Sequence, residues 1–314
     1  MNINNLAPII LFTYNRVEHT RITIDALKRN KLASFSELYI FSDAPKNAPA
    51  NNKVQAVRNL LHKISGFKKV EIIEQTSHLG LATSIITGVS KIIKDYGKVI
   101  VLEDDIETGE HFLEYMNQAL NLYSYEKKVW HIAGWRDPVE NASDDSSFFY
   151  PTMDCWGWAT WKDRWEHFEK NPQKLKKIFT QKMIKKFNIE GADPWMFLQI
   201  DKNISGEIDT WAIFWYATIF LNNGLCLAPT KSLVRNIGFD NSGENCGNND
   251  GQLISASINN LVTSFPQLFE INRVEFEKNI AFIKQLRRKN FSLLRCIYNK
   301  MPGVLRKRIK AIIK

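Results

Sequence analysis

Residues 7–105 alternate short apolar runs with amphipathic stretches, and few folds accommodate that alternation. "APIILFTYN" (7–15), "ELYIFSD" (37–43), "KKVEIIEQ" (68–75) and "KVIVLEDD" (98–105) read as strands, the first and last fully buried. Between them lie "EHTRITIDALKRNK", "NKVQAVRNLLHKI" and "ATSIITGVSKIIKDYG". In the second, Val54, Val57, Leu60, Leu61 and Ile64 share one helical face; in the third, Ile85, Val89, Ile92 and Ile93 do, with Gly97 as the stop. A βαβαβαβ order predicts a mostly parallel sheet flanked by helices.

Ligands of such sheets sit at the carboxyl ends of the strands. Four successive strand ends deliver polar groups there: Asn15-Arg16, Asp43, His78 and the triplet Glu103-Asp104-Asp105. A lone Asp43 before Ala-Pro is an ordinary turn residue, and a lone His78 an ordinary loop histidine. Three adjacent carboxylates repel one another, and a strand end is a poor place to collect them for stability. Hard divalent ions such as Mg²⁺ and Mn²⁺ take oxygen ligands, often one or two carboxylates plus substrate phosphates. The grouped residues therefore predict an Arg for a phosphate, an Asp for a base or ribose edge, and acids for a metal. A solvated acidic loop is the plain alternative. Neither GxGxxG nor GxxxxGK[ST] is present, which weakens dinucleotide and P-loop readings.

At 314 residues, 44% hydrophobic and 24% charged, the chain has the composition of a soluble globular protein. No secretory signal or spanning segment is expected, since Leu6–Phe12 is short, broken by Pro8 and lacks a basic flank. Cys155, Cys226, Cys246 and Cys296 form no CxxC pair, which fits a reducing compartment and argues against zinc. The net charge of +9 is uneven: residues 273–314 hold 13 Lys/Arg and 2 Asp/Glu, leaving −2 for the first 272. That tail mixes cations with Phe282, Ile283, Leu286, Phe291, Leu293, Leu294 and Ile297, interrupted at Pro302-Gly303. It reads as amphipathic helix, either packed on the body or lying on an anionic membrane surface. Nucleic acid is not expected, because the body has no basic groove with interleaved aromatics.

In the second half, "DCWGWATWKDRW" places Trp158, Trp161 and Trp165 at i, i+3 and i+7, a helical core face. Trp156 stands beside Gly157, where the missing side chain would let a ligand approach its ring closely. Trp135 and Asp137 lie in the loop that follows the strand "KVWHIAG". Asp209 precedes "TWAIFWYATIFLNNG", where Trp211, Phe214, Trp215, Thr218 and Ile219 fit one buried helical face. It is a plain N-cap candidate; a carboxylate there stays ionised, as a general base requires.

"VIVLEDDIETGEHFLEYMNQAL" resembles the metal-binding segment of GT-A glycosyltransferases, most of all N-acetylglucosaminyltransferase I and its bacterial relatives. "FTYNR", "FSD", "SHLGLATSIITGVSKII", "HIAGWRDP", "DCWGWATWKDRW", "DTWAIFW" and "LAPTKSLVRNIGFDNSGEN" resemble further segments in the same order, over roughly residues 7 to 250. The resemblance implies a GT-A fold: a nucleotide-sugar half over 1–107, an acceptor half over 108–272, and the basic helical tail over 273–314. It implies Arg16 at the donor diphosphate, Asp43 at uracil, His78 in the segment closing over the nucleotide, and Glu103 and Asp104 at ribose and donor sugar. It further implies Asp105 on Mn²⁺ (or Mg²⁺), Asp209 as catalytic base, and Trp135, Asp137 and Trp156 toward the acceptor. The family pattern often carries a histidine where this chain has Asn245, which leaves a histidine contact from that loop unsupported.

The expected activity is an inverting, metal-dependent hexosyl transfer, of GlcNAc or a related sugar, from a UDP-sugar to a glycan or lipid-linked hydroxyl. A nucleotidyltransferase acting on a sugar phosphate is the alternative enzyme, and a non-catalytic membrane-associated assembly protein the alternative class. The Asn, Ile and Lys richness points to an AT-rich bacterial genome and to surface polysaccharide synthesis. The expected location is cytoplasmic, at the inner face of the cell membrane.

Overall fold

The computed structural model describes residues 3–139, 145–240 and 257–300, with side chains as far as Arg288. Asn245, Cys246, Pro302-Gly303 and the side chains of Phe291, Leu293, Leu294, Cys296 and Ile297 lie outside the described residues.

The first seven elements follow the sequence pattern: β1 (Ile9–Thr13), α1 (Val17–Lys28), β2 (Glu37–Ser42), α2 (Ala48–Leu61), β3 (Lys69–Glu74), α3 (Leu81–Tyr96) and β4 (Lys98–Glu103). Helix α2 begins before its apolar stripe because Asn47 caps it, accepting from the Ala50 amide, with Pro49 in the first turn. Helix α3 stops where expected, at Gly97 in the left-handed conformation (φ 75°). Then come β5 (Ile106–Thr108), α4 (Phe112–Leu122), β6 (Val129–Ala133), β7 (Ser147–Tyr150), β8 (Trp158–Trp161) and α5 (Lys162–Trp165). The chain continues through α6 (Pro172–Ile178), α7 (Gln181–Phe187), α8 (Trp195–Ser205), α9 (Ala212–Leu221), β9 (Leu225–Pro229), β10 (Val234–Asn236) and α10 (Arg273–Lys300).

Eight strands form one sheet in the order β3-β2-β1-β4-β8-β6-β9-β7. The first four pair in parallel. Beyond β4 the sheet is mixed: β8 runs against both β4 and β6, β9 is parallel to β6, and β7 is antiparallel to β9. Six of the eight strands thus point one way, and the ends of β1, β2, β4 and β6 share one rim. Strands β5 and β10 pair separately in an antiparallel ribbon.

Central strands are buried on both faces, hence their unbroken apolar runs. Ile100 and Leu102 pack into the layer under α1, α2 and α4, while Val99 and Val101 pack into the layer under α3 and α9. The tryptophan series is not the single helical face expected from its spacing. Trp158 and Trp161 lie in strand β8, where a separation of three sends them to opposite faces, and only Trp165 is helical. The period-2 core positions of a short buried strand were masked by tryptophans that also fit a helix.

The early part of the basic segment is not free of the body. Glu275, Phe276 and Asn279 are buried. Arg136 Nη2 donates to the Glu275 carboxylate and carbonyl, both at 3.1 Å, and its guanidinium lies 4.8 Å from the Phe148 ring centroid. A division of the chain at residue 272 therefore runs through packed contacts. Breaking a buried ion pair by removing one partner costs about 3–5 kcal/mol. Glu275→Ala should lower the thermal unfolding midpoint of the whole protein by calorimetry. An unchanged midpoint would return α10 to the status of a detachable tail.

Candidate functional site

The acid triplet stands where β4 ends and β5 begins. Arg16, on the turn between β1 and α1, reaches both aspartates: Nη2 donates to Asp104 and, at 2.9 Å, to Asp105 Oδ2. The Asp104 carbonyl accepts from Thr23 Oγ1 at 2.9 Å and the Asp105 carbonyl from the Ile237 amide at 2.9 Å. Trp211 hydrogen-bonds the Glu103 carboxyl. Burial raises Glu103 well above the usual carboxylate range, with Asp105 and Asp104 adding to it, and burial likewise raises Asp104 against the pull of Arg16. Arg16 is in turn held firmly protonated by the two aspartates.

One guanidinium does not neutralise three carboxyls. Asp104 Oδ2 and Asp105 Oδ1 are buried without a hydrogen-bond partner. Two orphaned oxygen acceptors beside excess negative charge fit a hard divalent cation. No group of three or more His, Cys, Asp or Glu side chains is set to hold a metal among the described residues. Such an ion would have to take its remaining ligands from water and substrate, as Mg²⁺-type sites commonly do.

Asp43 and His78 meet on the neighbouring strand ends, with Nδ1 2.9 Å from Asp43 Oδ2. Asp43 is the brace of this corner: its carboxylate accepts from the amides of Ala44, Leu79 and Gly80. The ring of Tyr14 packs against His78 at 5.2 Å between centroids, and the Tyr14 backbone bonds Asp104. A continuous rim thus joins Asp43, His78, Tyr14, Arg16 and the triplet.

The opposite wall is aromatic. Trp135 and Trp156 meet edge to face at 4.5 Å, and Trp156 meets Phe239 at 5.5 Å. Trp135 is buried while Trp156 is partly open. Asp137 accepts from Trp135 Nε1 at 3.4 Å and from Asn279, and burial raises its pKa. Asp209 stands differently from expectation. It is 68% exposed, pairs with Lys170, and does not cap α9, whose N-cap position is Trp211. It lies two residues before the tryptophan that touches Glu103.

Four contributors were not singled out from the sequence. Thr23 holds the triplet by donating its hydroxyl to the Asp104 carbonyl, and Tyr14 through its backbone, contacts that sequence spacing does not announce. Gly238 lies so close that a Cβ there would stand 2.3 Å from Asp105 Oδ2 and 3.0 Å from Arg16 Nη1. Asn236 sets that turn by accepting from the Gly238 amide at 2.7 Å. "NIGFD" carried this signal, though only for a reader who knew what it faced.

A doubly covered sheet of this topology, with an acidic triplet after its fourth strand and an aromatic wall opposite, defines a GT-A glycosyltransferase. Residues 2–181, more than half of the chain, match the model of the GNT-I family, and the chain belongs to that family. No protein of curated function matches it significantly. Among solved structures it is similar to the mannosyltransferase PcManGT from Pyrobaculum calidifontis, in complex with GDP-Man and Mn²⁺. The identity is 12% over 69% of this chain and 68% of that one, with a TM-score of 0.41. It is also similar to S. aureus TarS 1-349, at 9% identity over 73% of this chain and 59% of that one, TM-score 0.42.

The close approach at Gly238 generates a prediction. Gly238→Ala should push the Asp105 carboxylate from its place, because the added methyl and Oδ2 cannot both occupy it. The displacement should lower the unfolding free energy by about 1–3 kcal/mol in a denaturant melt. Parental stability in this variant would mean that the turn at 236–238 does not constrain the acid.

Proposed function

We propose that this GT-A enzyme is an inverting, metal-dependent transferase. In this reading it moves a hexose, such as GlcNAc or a related sugar, from a UDP-sugar to a hydroxyl of a glycan or lipid-linked acceptor. The observation that carries the reading is the pair of partnerless carboxylate oxygens on Asp104 and Asp105, beside the Arg16 guanidinium.

Asp105 would hold Mn²⁺ or Mg²⁺ together with donor oxygens, and such an ion supplies charge neutralisation for a leaving nucleoside diphosphate. The Arg16 guanidinium adds fixed positive charge at the diphosphate. Asp43 and His78 shape the corner that receives the base, and Glu103 and Asp104 accept from ribose and sugar hydroxyls. On the far wall Trp156 offers an apolar face for an acceptor ring, with Trp135 behind it and Asp137 as a hydrogen-bonding group. Asp209 takes the proton from the acceptor hydroxyl as it attacks the anomeric carbon from the side opposite the leaving group. A nucleotidyltransferase is disfavoured because "FTYNRVEHT" has no glycine with which to wrap phosphates.

The biological setting follows as part of the same proposal: bacterial surface polysaccharide synthesis, with the enzyme at the cytoplasmic face of the membrane through its basic C-terminal segment. No helix among the described residues is long and apolar enough to cross a membrane.

Two substitutions test the chemistry. Asp105→Ala should remove Mn²⁺-dependent UDP binding in calorimetry and leave the fold intact; equal affinity in parent and variant, both with metal, would sink the assignment. Asp209→Asn should keep donor binding and lower transfer by roughly 10²–10⁴. Its Lys170 partner is a surface ion pair worth about 0–1 kcal/mol, so a stability effect cannot imitate that loss. Turnover within a few-fold of the parent would leave Asp209 a surface residue only.

A further inference from the structure

Helices α6, α7 and α8 pack as a lobe around Leu175, Phe179, Phe187, Phe197 and Ile200, and the surface of that lobe is unusual for one facing only water. Residues 172–205 hold seven lysines against three acids. Lys174, Lys176 and Lys202 pair with Glu169, Asp201 and Glu207. Lys177, Lys182, Lys185 and Lys186 have no carboxylate partner among the described residues. On the same lobe α8 presents large apolar side chains outward: Trp195 is 45% exposed and Leu198 43%. Three residues apart, they share one face of the helix, and Lys202, a turn further on, places Nζ 5.9 Å from the Trp195 ring centroid. The buried side of α8 is satisfied without them, through Phe197 and Ile200.

Helix α10 arrives at the same place. Arg287 Nη1 donates to the Ala192 carbonyl at 3.0 Å, and Ile280 and Ile283 pack around Ile189 and Ala192, just before α8. From there the chain runs into residues 289–314, which contain eight Lys/Arg and no Asp/Glu. The described part of α10 thus meets the body just before α8, and the most cationic part of the sequence follows it in the chain.

We propose that the outer face of α8, with the adjoining part of α10, is a docking surface for an anionic lipid bilayer, Trp195 and Leu198 entering the interface and the lysines facing the headgroups. The proposal extends the membrane reading of the C-terminal segment, on which it partly rests, to a second contact within the folded body. Charge complementarity selects the partner: a cationic surface bearing tryptophan and leucine among lysines has the chemistry of a membrane-interface helix. Lysine stems can lie along apolar surface while their ammonium groups reach lipid phosphates. The position also serves the reaction. Asp193, just ahead of α8, is near enough to raise the pKa of Asp137 on the acceptor wall. A bilayer seated on α8 would bring a lipid-linked hydroxyl to that side of the cleft.

The test is co-sedimentation of the full-length protein with phosphatidylglycerol–phosphatidylcholine vesicles at low salt, with pure phosphatidylcholine as control. Trp195→Ala combined with Leu198→Ala should weaken partitioning about tenfold, with a circular dichroism melt like that of the parent. A second full-length variant, with Arg306, Lys307, Arg308 and Lys310 all changed to Gln, isolates the tail. If the α8 variant partitions like the parent while the tail variant does not, the α8 face is overturned and the tail reading stands. If only the α8 variant loses binding, the tail reading falls and this surface remains. A parent that ignores the anionic vesicles overturns both.

Discussion

Three carboxyls in sequence, drawn out of water at the end of a buried strand, are the constraint around which this molecule is built. Each is costly to bury as an ion, and together they repel. The protein answers with one fixed cation, Arg16, and with hydrogen bonds that grip the backbone of the triplet from Thr23 and Ile237. The compensation is incomplete, and the two partnerless oxygens mark what remains.

The aromatic layer beneath the triplet explains why the second half of the chain is so rich in tryptophan. Trp158 stacks on Trp211 at 5.1 Å and on His131 at 5.5 Å. His131 is buried and neutral, its pKa lowered to about 3 by burial. Its Nδ1 accepts from Trp215 Nε1 at 3.2 Å, so Nε2 carries the proton and donates to the Asp154 carbonyl at 3.0 Å. These rings place Trp211 against Glu103 and the Asp154–Trp156 segment along the cleft. Packing thus transmits the geometry of the sheet to both walls of the site.

The C-terminal helix joins two kinds of work. Its first turns carry Glu275 and Asn279, which engage Arg136 and Asp137 and so steady the loop after β6. Further on, it runs past α8 toward the cationic end of the chain. A segment whose composition reads as an appendage is, at its start, packed against the loop after β6.

The parallel half of the sheet and the acid-bearing rim could be read from the sequence because their signals are local. A buried strand must be apolar along its length, an amphipathic helix must repeat near 3.6, and charge at a strand end is visible as charge. Arg16, Asp43, His78 and the triplet were therefore legible, and the structure brings them to one rim. What could not be read depends on contacts across long separations. The reversal of β8 and β7, Trp158 and Trp161 facing opposite layers, Gly238 lying against Asp105 and Glu275 reaching Arg136 across 139 residues are such cases. The same limit applies to Asp209, which reads as a helix cap by its place in the chain. The folded chain sets the cap position at Trp211 and turns the Asp209 carboxylate out to Lys170 and water. Periodicity records which face of an element is buried. The partner that buries it is chosen by packing of the whole chain.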